Sequence, residues 1–220
     1  EKISYQQLLA NINRTARLLK ERLPEGADKP GVISFLLPNT PQAHFVLWGG
    51  EAAGIVNPLN PLLSENALLA LTEKAQTDIL IALGPNPVSD IWEKANLLME
   101  QVPGLEHLIQ VRGNLPCDSQ FDELREASCR FSGEDLAFDY LDELKTVNTY
   151  FHTGGTTGLP KLVQHTHEGQ VFQSWLFKYW LSYKPKYIER AFSKYVNDMY
   201  VPWKFLDSAI DAHNYWLGKV

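Results

Sequence analysis

Apolar residues recur along this chain in two rhythms. Leu8, Ile12, Ala16 and Leu19 are spaced as one face of a helix, and Ser4 stands where a capping hydroxyl belongs. Arg14, Arg17 and Lys20 fall on the remaining arc and are expected to face water, and Pro24 with Gly26 ends the pattern. "GVISFLL" (Gly31 to Leu37), "DILIAL" (Asp78 to Leu83) and "LEHLIQV" (Leu105 to Val111) are short unbroken apolar runs, the mark of strands covered on both faces. Between them lie helical patterns: one opened by Pro41 and reaching about Ala53, one capped by Ser64 and reaching about Ala75, and one from Val88 to Gln101. A very short strand with turns is expected in "GIVNPLNP" (Gly54 to Pro61), and another strand in "TVNTYFH" (Thr146 to His152).

Strands alternating with helices predict an α/β fold, a doubly wound and mainly parallel sheet with flanking helices. Gly113 to Tyr140 is polar, acidic and weakly periodic, and is read as a long surface excursion. The 220 residues suffice for one full core, and a formal net charge of -6 argues against a general nucleic-acid binder. No apolar stretch reaches the length of a membrane span and Glu1 to Ser4 has no signal-peptide design, so a cytoplasmic location is expected. Cys117 and Cys129 lack metal-ligand spacing and are read as reduced, incidental thiols.

The segment richest in chemistry is "YFHTGGTTGLPKLVQHTH" (Tyr150 to His167), which follows a predicted strand. Glycines let backbone amides approach an anion closely and turn consecutive N–H groups inward. Thr153, Thr156 and Thr157 add hydroxyls, and Lys161 adds a mobile positive charge. A glycine-rich turn needs no ligand, but three threonines and a lysine beside it suit polyphosphate. The Walker loop is excluded by spacing: that motif wants Gly before its Lys and Ser or Thr after, whereas Pro160 precedes Lys161 and Leu162 follows. Pro160 also discourages a helix through the lysine, so "KLVQH" is expected to be a strand. Strand alternation would put His165 and His167 on one face, yet no further ligands accompany them and zinc is disfavoured. His152 is read as a packing or hydrogen-bonding residue, and Asp139, Asp142 and Glu143 as solvated surface.

"HTGGTTGLPK" closely resembles the phosphate-loop signature of the acyl-adenylate-forming (AMP-binding) superfamily. With "LVQHTH" after it, the form is most similar to bacterial acyl-CoA synthetases of the fatty-acid ligase type. "ISYQQLLANINRTARLL" and "LWGGEAAGIVNPLNPLLSENAL" resemble earlier blocks of that family in the right order. The resemblance implies attack of a carboxylate on the α-phosphorus of ATP, giving an acyl-adenylate and pyrophosphate, and then transfer of the acyl group to CoA. It further implies that Thr153, Gly154, Gly155, Thr156, Thr157 and Gly158 hold the β- and γ-phosphates. Lys161 would be the catalytic counter-charge to the departing pyrophosphate, with Mg2+ accompanying ATP though no ligand set for it is evident. Carboxylic acid, ATP and CoA are the implied small-molecule partners.

The resemblance covers Glu1 to about Trp175, a partial AMP-binding domain of residues 1–175, and leaves 176–220 as an unmatched, aromatic-rich and helical tail. That tail holds about half of the chain's aromatic residues, and helical packing is a better reading of it than RNA stacking. Later blocks of the family, including the ribose aspartate and the lid lysine, have no recognisable counterpart. The expectation is therefore an N-terminal fragment that binds nucleotide phosphates without completing the reaction. The alternative is a non-catalytic nucleotide-binding or protein-interaction remnant of a truncated or frameshifted synthetase.

Overall fold

The computed structural model describes residues 3–24, 29–113, 121–138, 145–153 and 160–182. The elements begin with α1 (Tyr5–Arg22), β1 (Val32–Leu36), α2 (Pro41–Ala53) and β2 (Ile55–Pro58). Next come α3 (Glu65–Ala75), β3 (Ile79–Leu83), α4 (Ile91–Gln101) and β4 (His107–Val111). Then follow β5 (Phe121–Glu123), α5 (Leu124–Ser128), β6 (Val147–His152), β7 (Leu162–Thr166) and α6 (His167–Ser182). By internal contacts the chain divides into two compact units, 1–142 with 147–165, and 143–146 with 166–220. The strands and α1 to α5 belong to the first, and α6 with the preceding Thr166 to the second.

The caps predicted from sequence set the helix starts. Ser4 Oγ accepts from the Gln7 amide at 3.2 Å while the Ser4 amide donates to Gln7 Oε1 at 2.9 Å, a reciprocal capping box. Ser64 caps α3 one-sidedly, its Oγ accepting from the Ala67 amide, and Pro41 opens α2, where its missing N–H costs nothing. Thr166 Oγ1 accepts from the Gly169 amide at 3.2 Å and so caps the start of α6.

The strands form one seven-stranded sheet in the order β5-β4-β3-β1-β2-β6-β7. Each neighbouring pair from β5 across to β6 is parallel. β1 is registered on β2 from Val32↔Ile55 to Phe35↔Pro58, and on β3 from Ile33↔Ile79 to Leu36↔Ala82. Every residue of β1 and β3 is buried, as the unbroken apolar runs require of strands packed on both faces. The core gathers Leu18 and Leu19 of α1, Ile33 and Leu36 of β1, Leu68 and Leu71 of α3, and Ile79 to Ile81 of β3. Four polar residues enter it as a connected set. Thr77 Oγ1 shares a hydrogen bond with Ser34 Oγ at 2.6 Å, Asn57 Nδ2 donates to Ser34 Oγ at 2.8 Å, and Thr77 donates to the Thr72 carbonyl. Ser34 and Asn57 are registered partners across β1 and β2, so the pairing itself brings them together.

Three readings need correction. Gly113 to Tyr140 is not a plain surface excursion: it carries β5, which extends the sheet beside β4, and α5, whose Leu124 enters the core. Three strand residues are too short a window for periodicity to reveal. Arg14 and Arg17 do not simply face water, because their guanidinium groups donate to the carbonyls of Phe131 and Ser132, and Arg17 lies over the Phe131 ring. Alongside them, Asn13 Nδ2 donates to the Gly133 carbonyl at 3.0 Å, so one face of α1 binds the segment after α5. Finally, α4 begins at Ile91, because residues 86–89 form a tight turn in which the Asn86 side chain accepts the Val88 amide. Cys129 is a free, exposed thiol. Cys117, Asp139, Asp142, Glu143 and the tail beyond Ser182 lie outside the described residues.

Helices α1 and α2 meet at Gly49, where an added Cβ would stand 2.9 Å from the Ile12 carbonyl oxygen and 3.0 Å from the Ala16 amide nitrogen. Both are backbone atoms and cannot swing aside. Gly49→Leu is therefore expected to destabilise the fold by about 2–3 kcal/mol through overpacking, read as a lowered urea midpoint. An unchanged midpoint would show that the helix pair tolerates separation.

Candidate functional site

Because β1 to β6 run in one direction, their carboxyl ends share one edge of the sheet. β6 delivers the glycine- and threonine-rich loop to that edge, so its placement matters most. It is registered on β2 through Val56↔Thr149. Two side-chain contacts reinforce that pairing. Thr149 Oγ1 donates to Glu51 Oε1 of α2 at 2.6 Å, with both residues buried. At the far end of the strand the Asn60 amide, in the turn after β2, donates to His152 Nε2 at 3.2 Å.

The loop closes on itself at its base. Thr153 N–H donates to the Lys161 carbonyl at 2.9 Å, and Lys161 N–H reaches Thr153 Oγ1 at 3.4 Å. Thr153 was expected to offer a hydroxyl donor; its oxygen here accepts, which leaves the O–H hydrogen to point elsewhere. Both residues are exposed, and among the described residues no carboxylate forms an ion pair with Lys161. An exposed lysine without a carboxylate partner among the described residues is available to an incoming anion. Gly154, Gly155, Thr156, Thr157 and Gly158, together with the expectation of an exposed, weakly restrained loop, lie outside the described residues. Beyond Lys161 the chain does continue as a strand, β7.

The histidines separate into different roles. His165 on β7 meets Phe151 of β6 edge-on, with ring centroids 5.0 Å apart. His167 is not on the strand at all: β7 ends at Thr166 and α6 starts at His167, so alternation does not carry to it. The Thr166 cap supplies the physical reason, since it turns the backbone into a helix one residue too early. Burial lowers the His167 pKa below its ordinary value, and burial raises that of the Tyr150 phenol. Among the described residues no cluster of His, Cys, Asp and Glu is arranged to hold a metal ion, and no helix is long and apolar enough to cross a membrane.

Sequence reasoning missed Glu51, Asn60 and Thr149. One signal for Glu51 was available: in "FVLWGGEAAG" it is a lone carboxylate within an otherwise apolar or small-residue helix segment, which implies a buried partner. Asn60 acts through its backbone and carries no such signal.

The AMP-binding enzyme family matches residues 1–199 of the chain. The chain is 33% identical over 149 residues to the marinolic acid–CoA ligase of Pseudoalteromonas sp. (strain SANK 73390), covering 68% of this chain and 22% of that protein. It is 22% identical over 214 residues to the acetyl-coenzyme A synthetase of Bacillus subtilis (strain 168), covering 92% and 35%. A third relative is the long-chain-fatty-acid–CoA ligase of the same organism, 25% identical over 202 residues and covering 82% and 35%. Among solved structures, the anthranilate CoA ligase AuaEII in complex with anthranoyl-AMP superposes with a TM-score of 0.67 at 15% identity, covering 80% of this chain and 32% of that one. The chain therefore spans between 22% and 35% of the lengths of these curated relatives.

Two outcomes follow from the buried polar groups. Glu51→Ala removes the carboxylate that accepts the Thr149 hydroxyl and is expected to cost about 2 kcal/mol in urea unfolding, whereas Glu51→Gln, which keeps an acceptor, costs less. Equal losses for both would show that the carboxylate charge matters rather than the hydrogen bond. For His167 the folded chain resists protonation that the unfolded chain accepts, so the unfolded state binds more protons below the ordinary value of 6.5. Stability should therefore fall as the pH drops below about 6.5, and His167→Gln should flatten that slope in urea titrations at pH 5 and pH 7.

Proposed function

Since this chain belongs to the AMP-binding enzyme family, we propose that it carries the phosphate-binding part of an enzyme that activates a carboxylic acid with ATP. The acid becomes an acyl-adenylate and is passed to CoA as a thioester. The observation that supports this reading most directly is the base of the 153–161 loop. Thr153 and Lys161 are joined backbone to backbone, their polar groups are exposed, and the lysine ammonium is free of carboxylate partners among the described residues.

In this reading Thr153, Gly154, Gly155, Thr156, Thr157 and Gly158 hold the β- and γ-phosphates with amide and hydroxyl donors. Lys161 balances the charge that grows on pyrophosphate as it leaves. Catalysis of this kind consists mainly of positioning and charge stabilisation, which is the chemistry that donors and an ammonium supply. Mg2+ would enter with ATP, bound by phosphate oxygens. A fatty acid is the proposed acyl substrate, in keeping with the resemblance of the loop and with the long-chain-fatty-acid–CoA ligase among the relatives. The second reading is a nucleotide-binding or protein-interaction module without turnover. A pyrophosphate-exchange assay on the 220 residues separates the two.

Lys161→Ala is expected to weaken pyrophosphate binding by at least about tenfold, the worth of one charge-assisted contact, without moving the urea midpoint. Calorimetric titration at low ionic strength reads this directly, since salt screens an exposed charge. Affinity unchanged by the substitution would remove Lys161 from the site. Purified residues 1–220 should also fail to form acyl-CoA, because a ground-state phosphate site does not by itself stabilise the transition state. Sustained thioester production would overturn that expectation.

A further inference from the structure

His152 is the last residue of β6 and stands immediately before the loop. Its Nε2 accepts the Asn60 amide hydrogen at 3.2 Å, across 92 residues of sequence. An acceptor nitrogen bears no proton, so the hydrogen of the neutral ring resides on Nδ1. Nδ1 is buried and has no hydrogen-bond partner among the described residues. The contact through Nε2 is therefore the one that fixes the ring among the described residues.

The Asn60 turn is itself rigidly built. Leu63 N–H donates to the Asn60 carbonyl at 3.1 Å, and Leu62 N–H to Asn60 Oδ1 at 3.0 Å. Lys94 Nζ, on α4, donates to the Pro61 carbonyl at 2.8 Å and pairs with Asp90 at 3.0 Å. A continuous series of contacts thus runs from α4 through the turn to His152, and one residue further to the Thr153–Lys161 closure.

The geometry points to His152 as a positioning residue that fixes the base of the phosphate loop against the Asn60–Leu63 turn. It touches no reacting atom in this role. It sets where Thr153 and Lys161 stand, and so how well they meet a phosphate. The inference rests on the phosphate-loop reading above.

The two ring nitrogens allow a clean test, because Gln places an acceptor near the Nε2 position and Asn places a donor near the Nδ1 position. The 220-residue chain and its His152→Gln, His152→Asn and His152→Leu variants are titrated with inorganic pyrophosphate, with Lys161→Ala as a control. Amide exchange is followed at Thr153 and Asn60. His152→Leu and His152→Asn should weaken pyrophosphate binding about fivefold, the effect of losing one neutral hydrogen bond, and should speed exchange at Thr153. His152→Gln should stay within about twofold of the native chain, by keeping that same bond, and should preserve the slow exchange. If Asn rescues and Gln does not, the ring acts through Nδ1–H on the ligand and the positioning role is wrong. If all three variants bind normally while Lys161→Ala does not, the role is likewise wrong and the phosphate reading stands. If the native chain binds no pyrophosphate, the phosphate reading fails and the functional role of His152 fails with it.

Discussion

Parallel pairing of β1 with both β2 and β3 is the constraint on which the rest of the molecule depends. A parallel strand flanked on both sides has no free edge, and its connections place helices on both of its faces. Every residue of β1 must then be compatible with burial, which is why Val32 to Leu36 contains one polar side chain, Ser34, and why that hydroxyl is hydrogen-bonded. The same pairing brings all the carboxyl ends to one edge. Loops from distant parts of the chain meet there without further instruction.

Burial on both faces makes each interior polar group a demand for a partner. Ser34 Oγ, Asn57 Nδ2 and Thr77 Oγ1 meet that demand within and beside the strands that bring them together, with the Thr72 carbonyl as the last acceptor. Glu51 meets it at a greater distance, by accepting the Thr149 hydroxyl from a strand that enters the sheet much later in sequence. An apolar residue at position 51 would bury as well, but it would leave Thr149 without this acceptor. The carboxylate therefore ties the second helix to the strand that precedes the loop.

Electrostatics act on a smaller scale. The chain is acidic as a whole, with a formal net charge of -6, so an anionic ligand gains no long-range attraction from it. In the proposed function, recognition of a polyphosphate would be local, through amides, hydroxyls and one lysine. Local recognition is demanding in geometry, because a donor displaced by an ångström loses most of its hydrogen bond. The hydrogen bonds that join Thr153 to Lys161 and Asn60 to His152 hold the two described ends of that segment in place, as the proposal requires.

The continuous apolar runs, the helix caps and the strand that delivers the loop could all be read from local order. Each is governed by residues a few positions apart: Ser4 with Gln7, Pro41 at its helix start, Thr153 to Lys161 as one motif. Family membership was legible too, since the residues from His152 to Lys161 carry the resemblance that the family match over residues 1–199 supports. Tertiary structure alone decided the strand order, the addition of β5 at one edge, and the docking of Arg14 and Arg17 onto backbone carbonyls. His165 and His167 part company for a local reason, because the Thr166 hydroxyl caps a helix that starts at His167 and so ends the strand between them. Tertiary structure also decided that the Asn60 amide meets His152 at the end of β6. That contact uses a backbone amide, which every residue but proline possesses, and no pattern of side chains announces which amide will be chosen.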